Sequence, residues 1–236
     1  MNLLVKQLLI ITSLLLLTSC GTHKTSDSYK KKIKDIKEVY LTIDTSNSTL
    51  HFKKTQHKEV VWAEFEFGGR KNNRPKVKYK SSNKIADVHI KGPGRIDGLN
   101  FFGNIYNKID ARVYKNLPLH ITVKTGLNFC RLDFSDIDLK TFDLKITGKE
   151  KLIDLSRVKK QDMIGSINVK DSETIIFLPK DIETEVNLYG NLNKIEANDF
   201  VIENSILKLK KQPHDGKLLK IDLFIDDTSN VKILAR

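Results

Sequence analysis

Two cysteines in 236 residues, Cys20 and Cys130, exclude an internal disulfide framework. Long hydrophobic runs are missing too. The apolar stretch at residues 8–17 (LLIITSLLLL) is too short to cross a hydrocarbon layer of about 30 Å as a helix. Acidic residues are outnumbered, 29 against 41 Lys and Arg, and the resulting charge of +12 favours anionic partners such as phospholipid headgroups, acidic glycans or teichoic-type polymers. No Gly-x-Ser-x-Gly elbow, phosphate-binding glycine loop or dinucleotide fingerprint is present. No basic and aromatic motif of a nucleic-acid-binding module is present either, so nucleic acid is not an expected partner. His23, His51, His57, His89, His120 and His214 lack metal-ligand spacing. Asp133, Asp136 and Asp138 lie close together, but without the glycine and glutamate of a calcium loop. The chain is expected to be non-enzymatic, with no metal and no cofactor. An acidic-polysaccharide lyase is the least favoured reading, because the repeat described below is short for a long substrate groove.

What is present begins at the N-terminus. Lys6 and the apolar run have the form of a signal peptide covering residues 1–19. Leu17, Thr18, Ser19 and Cys20 resemble a lipobox, which implies cleavage between Ser19 and Cys20 and acylation of Cys20. Two or three acyl chains hold a protein firmly, since each buried methylene contributes about 0.8 kcal/mol. The expected location is the cell envelope, anchored by lipid to a membrane on its extracytoplasmic side. Gly21, rather than Asp, follows the Cys and favours an outer membrane where the cell has one. Residues 20–37, lipidated Cys20 followed by a Lys-rich polar stretch, have too little apolar content for a core and are expected to form a flexible tether.

Residues 38–236 are expected to form a single all-β domain, because period-two alternation of Ile, Val, Leu and Phe recurs throughout. One spacing repeats. An apolar pair is followed, nine residues on, by a second: Leu41/Ile43 and Leu50/Phe52, Leu144/Ile146 and Ile153/Leu155, Ile167/Val169 and Ile176/Leu178, Val186/Leu188 and Ile195/Ala197. Two stretched units start at Ile121 and Ile221. Starts at Ile121, Leu144, Ile167 and Val186 step by 23, 23 and 19 residues, a period at which units stack as coils of a solenoid. An antiparallel β-sandwich built from hairpins is the alternative. Residues 60–115 break the repeat, with three expected strands of a meander (60–67, 77–80, 86–90) and a glycine-dense loop at 91–103. Phe101 and Phe102 in that loop mark a candidate contact surface. Cys130 alternates with Leu132 and Phe134 and reads as a small buried hydrophobe.

Residues 116–126 (NLPLHITVKTG), 132–139 (LDFSDIDL) and 144–148 (LKITG) resemble the toastrack-type domain of bacterial envelope proteins. The resemblance covers residues 116–234, and 38–115 more loosely; Asn128, Lys149, Asp171 and Ser172 depart from it at turns. It implies a right-handed β-helix-like stack without catalytic residues, in a family of adhesin-type domains and envelope-stress sensors. The leading functional expectation is a lipid-anchored envelope binding protein that engages another envelope protein or an anionic surface polymer, with a place in envelope-stress sensing implied by that resemblance. Its outward lysines would be Lys145, Lys149, Lys151, Lys159, Lys160, Lys208, Lys210 and Lys211. The alternative is an adhesin-like surface protein that binds glycans.

Overall fold

The computed structural model describes residues 24–45, 48–68, 74–92, 107–126, 128–159, 161–211 and 216–236. Among them, strands form a nine-stranded and a ten-stranded sheet, with parallel and antiparallel pairing in each. The fold is all-β, as the alternation predicts.

The repeat units are built from strands β2 (Glu38–Asp44) and β3 (Thr49–Thr55), β8 (Leu119–Lys124) and β9 (Cys130–Asp133), and β10 (Leu139–Thr147) and β11 (Lys151–Asp154). They continue with β12 (Met163–Lys170) and β13 (Glu173–Leu178), β14 (Glu183–Gly190) and β15 (Ile195–Glu196), and β18 (Leu218–Ile225) and β19 (Asn230–Ala235). The two strands of a unit do not pair with each other, as a hairpin would. The first joins the ten-stranded sheet, the second the nine-stranded one, and each pairs in parallel with its counterpart in the next unit. Apolar side chains two apart therefore meet between the sheets, where Leu41, Ile43, Leu50, Phe52, Leu132, Phe134 and Leu144 are almost wholly buried. The ring centroids of Phe52 and Phe134 lie 5.3 Å apart. Corners repeat as well. The backbone N–H groups of Ser135 and Ser156 donate to the Asp133 and Asp154 carboxylates at 2.9 and 3.0 Å. These side-chain turns give the LDFS and IDLS segments one geometry.

Three features depart from the sequence expectations. Residues 24–32, expected within the tether, form β1 (Lys24–Lys32), antiparallel to β4 (Glu59–Gly68). The strand is held by backbone pairing, and of its side chains Tyr29 packs against the core; that sparse apolar content is why composition hides it. The expected meander is divided: β4 belongs to the nine-stranded sheet, while β5 (Lys76–Ser82) and β6 (Ile85–Lys91) form a hairpin in the other. Its turn residues Asn83 and Lys84 have φ of 51° and 66°, the mirror-image turn that suits the strand twist. A further unit was not expected: β6 pairs in parallel with β2, and β7 (Asn107–Tyr114) pairs in parallel with β3.

The stack also departs from chain order. Unit β18/β19 lies between β12/β13 and β14/β15. The hairpin of β16 (Phe200–Glu203) and β17 (Ile206–Leu209) covers the outer edge of β14, and this leaves the interior slot to the last two strands. Strands β18 and β19 fit it, because Leu219, Ile221, Leu223, Val231 and Ile233 are all buried. At the opposite end the edges are β1 and β5.

Candidate binding faces

Register builds the outer faces directly. On the ten-stranded sheet one cross-strand row reads Tyr40, His120, Thr141, Ile164, Lys220, Glu185. The next reads Thr42, Thr122, Asp143, Ser166, Asp222, Asn187. A third ends in Asn168, Phe224 and Tyr189. Over the first two rows lies a shallow groove of about 420 Å³ lined by Tyr40, Thr42, His120, Asp143, Ile164 and Asp222 among others.

The groove has fixed walls. The Tyr40 and His120 rings stack with centroids 4.4 Å apart and planes 6° from parallel. One ring nitrogen of His120 is 2.8 Å from Thr141 Oγ1 and the other 2.8 Å from Glu38 Oε1, so its orientation is set from both sides. Ser166 donates to Asp143 at 2.8 Å, and Asn187 donates to Asp222 at 2.9 Å. A second stacked pair, Tyr189 and Phe224, has centroids 4.6 Å apart. Three strand spacings separate β8 from β18, about 14 Å, and the two pairs are offset about 13 Å along the strands. Tyr40, Tyr189, Phe224 and Ile164 are all exposed, Ile164 to 65%. The face thus offers two flat aromatic platforms with a row of hydroxyls, amide and carboxylates between them.

The nine-stranded sheet carries a larger depression of about 690 Å³, with Phe129, Leu152 and Ile175 in its lining and Glu150, Glu173, Lys194 and Lys232 among the charged groups around them. His51 meets Phe129 edge-on at 5.9 Å. Further along this sheet Trp62 lies between Lys30, whose Nζ is 3.8 Å from the ring centroid, and the Arg112 guanidinium at 4.5 Å.

Ser19, Cys20, Phe101, Phe102 and Lys160 lie outside the described residues, as do His23 and His214. Of the expected outward lysines, Lys145, Lys149, Lys208, Lys210 and Lys211 are exposed, and Lys159 is half-buried. Lys151 is a correction: it is 2% exposed, and its ammonium donates to the carbonyls of Gly126 and Asn128. Alternation held the signal, since Lys151 precedes inward Ile153 by two and pairs with inward Cys130. Burial lowers the Lys151 pKa. Cys130 is 1% exposed, and burial pushes its thiol up to about 12, so it is a packing residue rather than a nucleophile. The three aspartates do not converge: Asp133 caps Ser135, Asp136 pairs with Lys54, and Asp138 pairs with Lys140 at 3.1 Å. The Lys54 hydrogen bond holds the Asp136 carboxyl below its usual range. Among the described residues no group of three or more His, Cys, Asp or Glu could hold a metal ion, and no helix is long and apolar enough to cross a membrane.

Comparison with known proteins accords with this architecture. The family described as the N-terminal domain of toast_rack, DUF2154, matches residues 20–170. The chain belongs to this family. A Clostridium sporogenes protein named for cell adhesion is similar in fold, with a TM-score of 0.79 at 18% identity over 91% of this chain and 100% of its own. A Bacteroides fragilis protein named as an adhesin aligns over 91% of this chain and 98% of its own, at 7% identity and a TM-score of only 0.31. No curated protein matches. The toastrack resemblance, read over residues 116–234 and more loosely over 38–115, is met by a family match over residues 20–170.

Proposed function

We propose that this toast_rack protein is a non-enzymatic, adhesin-like binding protein of the cell envelope, which engages a neutral glycan through the outer face of its ten-stranded sheet. The observation that carries the reading is the pair of aromatic platforms, Tyr40/His120 and Tyr189/Phe224, flanking a polar row. Sugar rings present an apolar face that stacks on aromatic side chains and a rim of hydroxyls that bond carboxylates, amides and hydroxyls. Asp143 and Asp222 point into that row and would repel an acidic polymer, so the preference on this face is for uncharged sugar. The fold shared with a protein named for cell adhesion supports the same class of role.

In this reading Cys20 is acylated after cleavage behind Ser19, on the outer membrane where there is one, and the parallel units wind as a short right-handed β-helix-like stack. Binding of the chain to a panel of neutral and acidic oligosaccharides tests the glycan role. Neutral oligomers are expected to bind, and Tyr40→Ala and Phe224→Ala each to weaken them about tenfold, a loss of roughly 1.4 kcal/mol per platform. Binding by both variants as tight as by the parent sinks the groove. Incorporation of labelled fatty acid, abolished by Cys20→Ala, tests the anchor.

A second reading, docking of another envelope protein, is favoured by the apolar-centred depression at Phe129, Leu152 and Ile175, whose rim of both charge signs is the anatomy of a protein interface. In-cell crosslinking through that depression, with Ile175→Glu as the control, separates the two.

A further inference from the structure

The excess positive charge of this protein is not spread over its surface. Residues 24–37 and 74–84 hold eleven of the 41 Lys and Arg and two of the 29 Asp and Glu, so about a tenth of the chain carries nine of its twelve excess charges. These segments are far apart in sequence, but the fold closes them into one end of the stack. Strand β1 is the edge of one sheet and β5 the edge of the other. Lys31 Nζ lies 4.6 Å from the Tyr79 ring centroid, the Lys37 N–H donates to the Lys84 carbonyl at 2.7 Å, and Arg74 pairs with Asp27. Tyr29, Ile33, Val77 and Tyr79 pack inward against the core. Lys30, Lys32, Lys34, Lys76, Lys78, Lys80 and Lys84 are exposed, and Lys76, Lys78, Lys80 and Lys84 make no ion pair with any described residue.

Protecting open strand edges from association does not account for this, although lysine serves that purpose. Edge protection is needed equally at the far end, where edge strands β15 and β16 contain Glu196 and Glu203 and no Lys or Arg. The charge is polarised along the stack. It is also placed beside the expected anchor, because only three residues separate Cys20 from Lys24, four steps along the chain and a reach of at most about 14 Å.

We propose that this basic end, β1 with the β5–β6 hairpin, is a membrane-docking surface that seats the domain on anionic phospholipid. It rests on the lipid-anchor reading for its biological setting, but the chemistry stands without the acyl chains. Each lysine near an anionic bilayer strengthens binding about fivefold, so several gathered at one end of the stack hold a domain whose anchor is already inserted. Docking of the basic end sets the stack upright, with the aromatic platforms on a side face and β15 and β16 farthest from the lipid.

The test uses the acyl-free chain from residue 21 onward, which keeps every described strand, and sedimentation with vesicles of phosphatidylcholine alone or mixed with phosphatidylglycerol. Binding is expected only with phosphatidylglycerol, and to weaken steeply as salt rises. Lys76→Gln/Lys78→Gln/Lys80→Gln is expected to lose on the order of a hundredfold. The far-end control, Lys208→Gln/Lys210→Gln/Lys211→Gln, is expected to lose less than about twofold. Circular dichroism of both variants confirms that they fold. Absence of vesicle binding, or equal loss in the two variants, overturns the proposal, as does capture by a polyglycerophosphate polymer without capture by vesicles. Failure of fatty-acid labelling at Cys20 with vesicle binding intact would remove the anchor and leave the docking surface standing.

Discussion

Gly165 offers a severe test of the packing between units. It is the register partner of Phe142 on the neighbouring strand, and a Cβ at this position would fall 2.2 Å from Phe142 Cε2 and 2.3 Å from Cζ. The ring is 3% exposed, so it has no solvent to move into and must shift by more than about 1 Å against core neighbours to reach ordinary contact. Overpacking of this kind costs about 1–3 kcal/mol. Replacing glycine within a strand returns roughly 0.5–1 kcal/mol, so Gly165→Ala is expected to destabilise by about 1–2 kcal/mol. Urea unfolding followed by Trp62 fluorescence should show a lower midpoint with an unchanged slope. Combining Gly165→Ala with Phe142→Leu isolates the cause. If the ring is the obstacle, the double variant is less destabilised than the sum of the singles, by about 0.5–2 kcal/mol. Additive losses, or a Gly165→Ala protein as stable as the parent, would refute the argument that this glycine exists to admit the ring.

Other substitutions probe the remaining features. Phe134→Ala should cost about 3–5 kcal/mol in thermal or urea unfolding, since the ring is fully buried against Phe52, whereas Phe224→Ala, at an exposed platform, should change stability by less than about 1 kcal/mol. Lys151→Met should destabilise by about 1–3 kcal/mol despite its apolar side chain, because two carbonyls lose their donor; a stabilised variant would mean that the buried ammonium is a net cost. The folded Cys130 thiol has its pKa raised from 9.0 to about 12, so the folded state holds this proton after the unfolded chain has released it. The contribution is fully present below pH 9 and is lost on rising from 9 to about 12, at about 1.4 kcal/mol per pH unit. Cys130→Ala should flatten the alkaline fall in stability relative to the parent, and an unchanged slope would assign that fall elsewhere.

The alternation at Leu41, Ile43, Leu50 and Phe52, and its recurrence, made the units legible because each residue's burial depends on its own strand's period of two. Which strand lies beside which is another matter. The placement of β18 and β19 inside β14 and β15 depends on a hairpin between residues 200 and 209 that occupies an edge, and no local period reports it. Strand β7 alternates cleanly, with Asn107, Ile109, Ala111 and Val113 buried, yet its sequence does not stand out from the irregular stretch 60–115, because its inward set includes a polar residue and an alanine. Strand β1 failed for the opposite reason, since lysine content outweighed its pairing potential. The aromatic platforms were invisible in sequence: Tyr40 and His120, like Tyr189 and Phe224, become neighbours only through parallel register between units.

Those two platforms also lie at different heights on the stack. Across the ten-stranded sheet the outer strands are nine spacings apart, about 43 Å. Tyr40 and His120 lie on the third and fourth strands from the basic end, and Phe224 and Tyr189 on the seventh and eighth. With that end docked, the first pair stands about 10–15 Å above the headgroups and the second about 30 Å. A glycan laid across the face then runs away from the membrane, and a ligand arriving from outside meets the Phe224 platform before the Tyr40 platform. In solution the two should matter alike, because an isolated domain has no near and far end. On the membrane the distal pair should dominate capture of a bulky polymer, whose approach to the lower pair is crowded by lipid and neighbouring protein. The geometry therefore separates affinity from access: Tyr40→Ala and Phe224→Ala alter the same groove, but only the anchored protein can tell them apart.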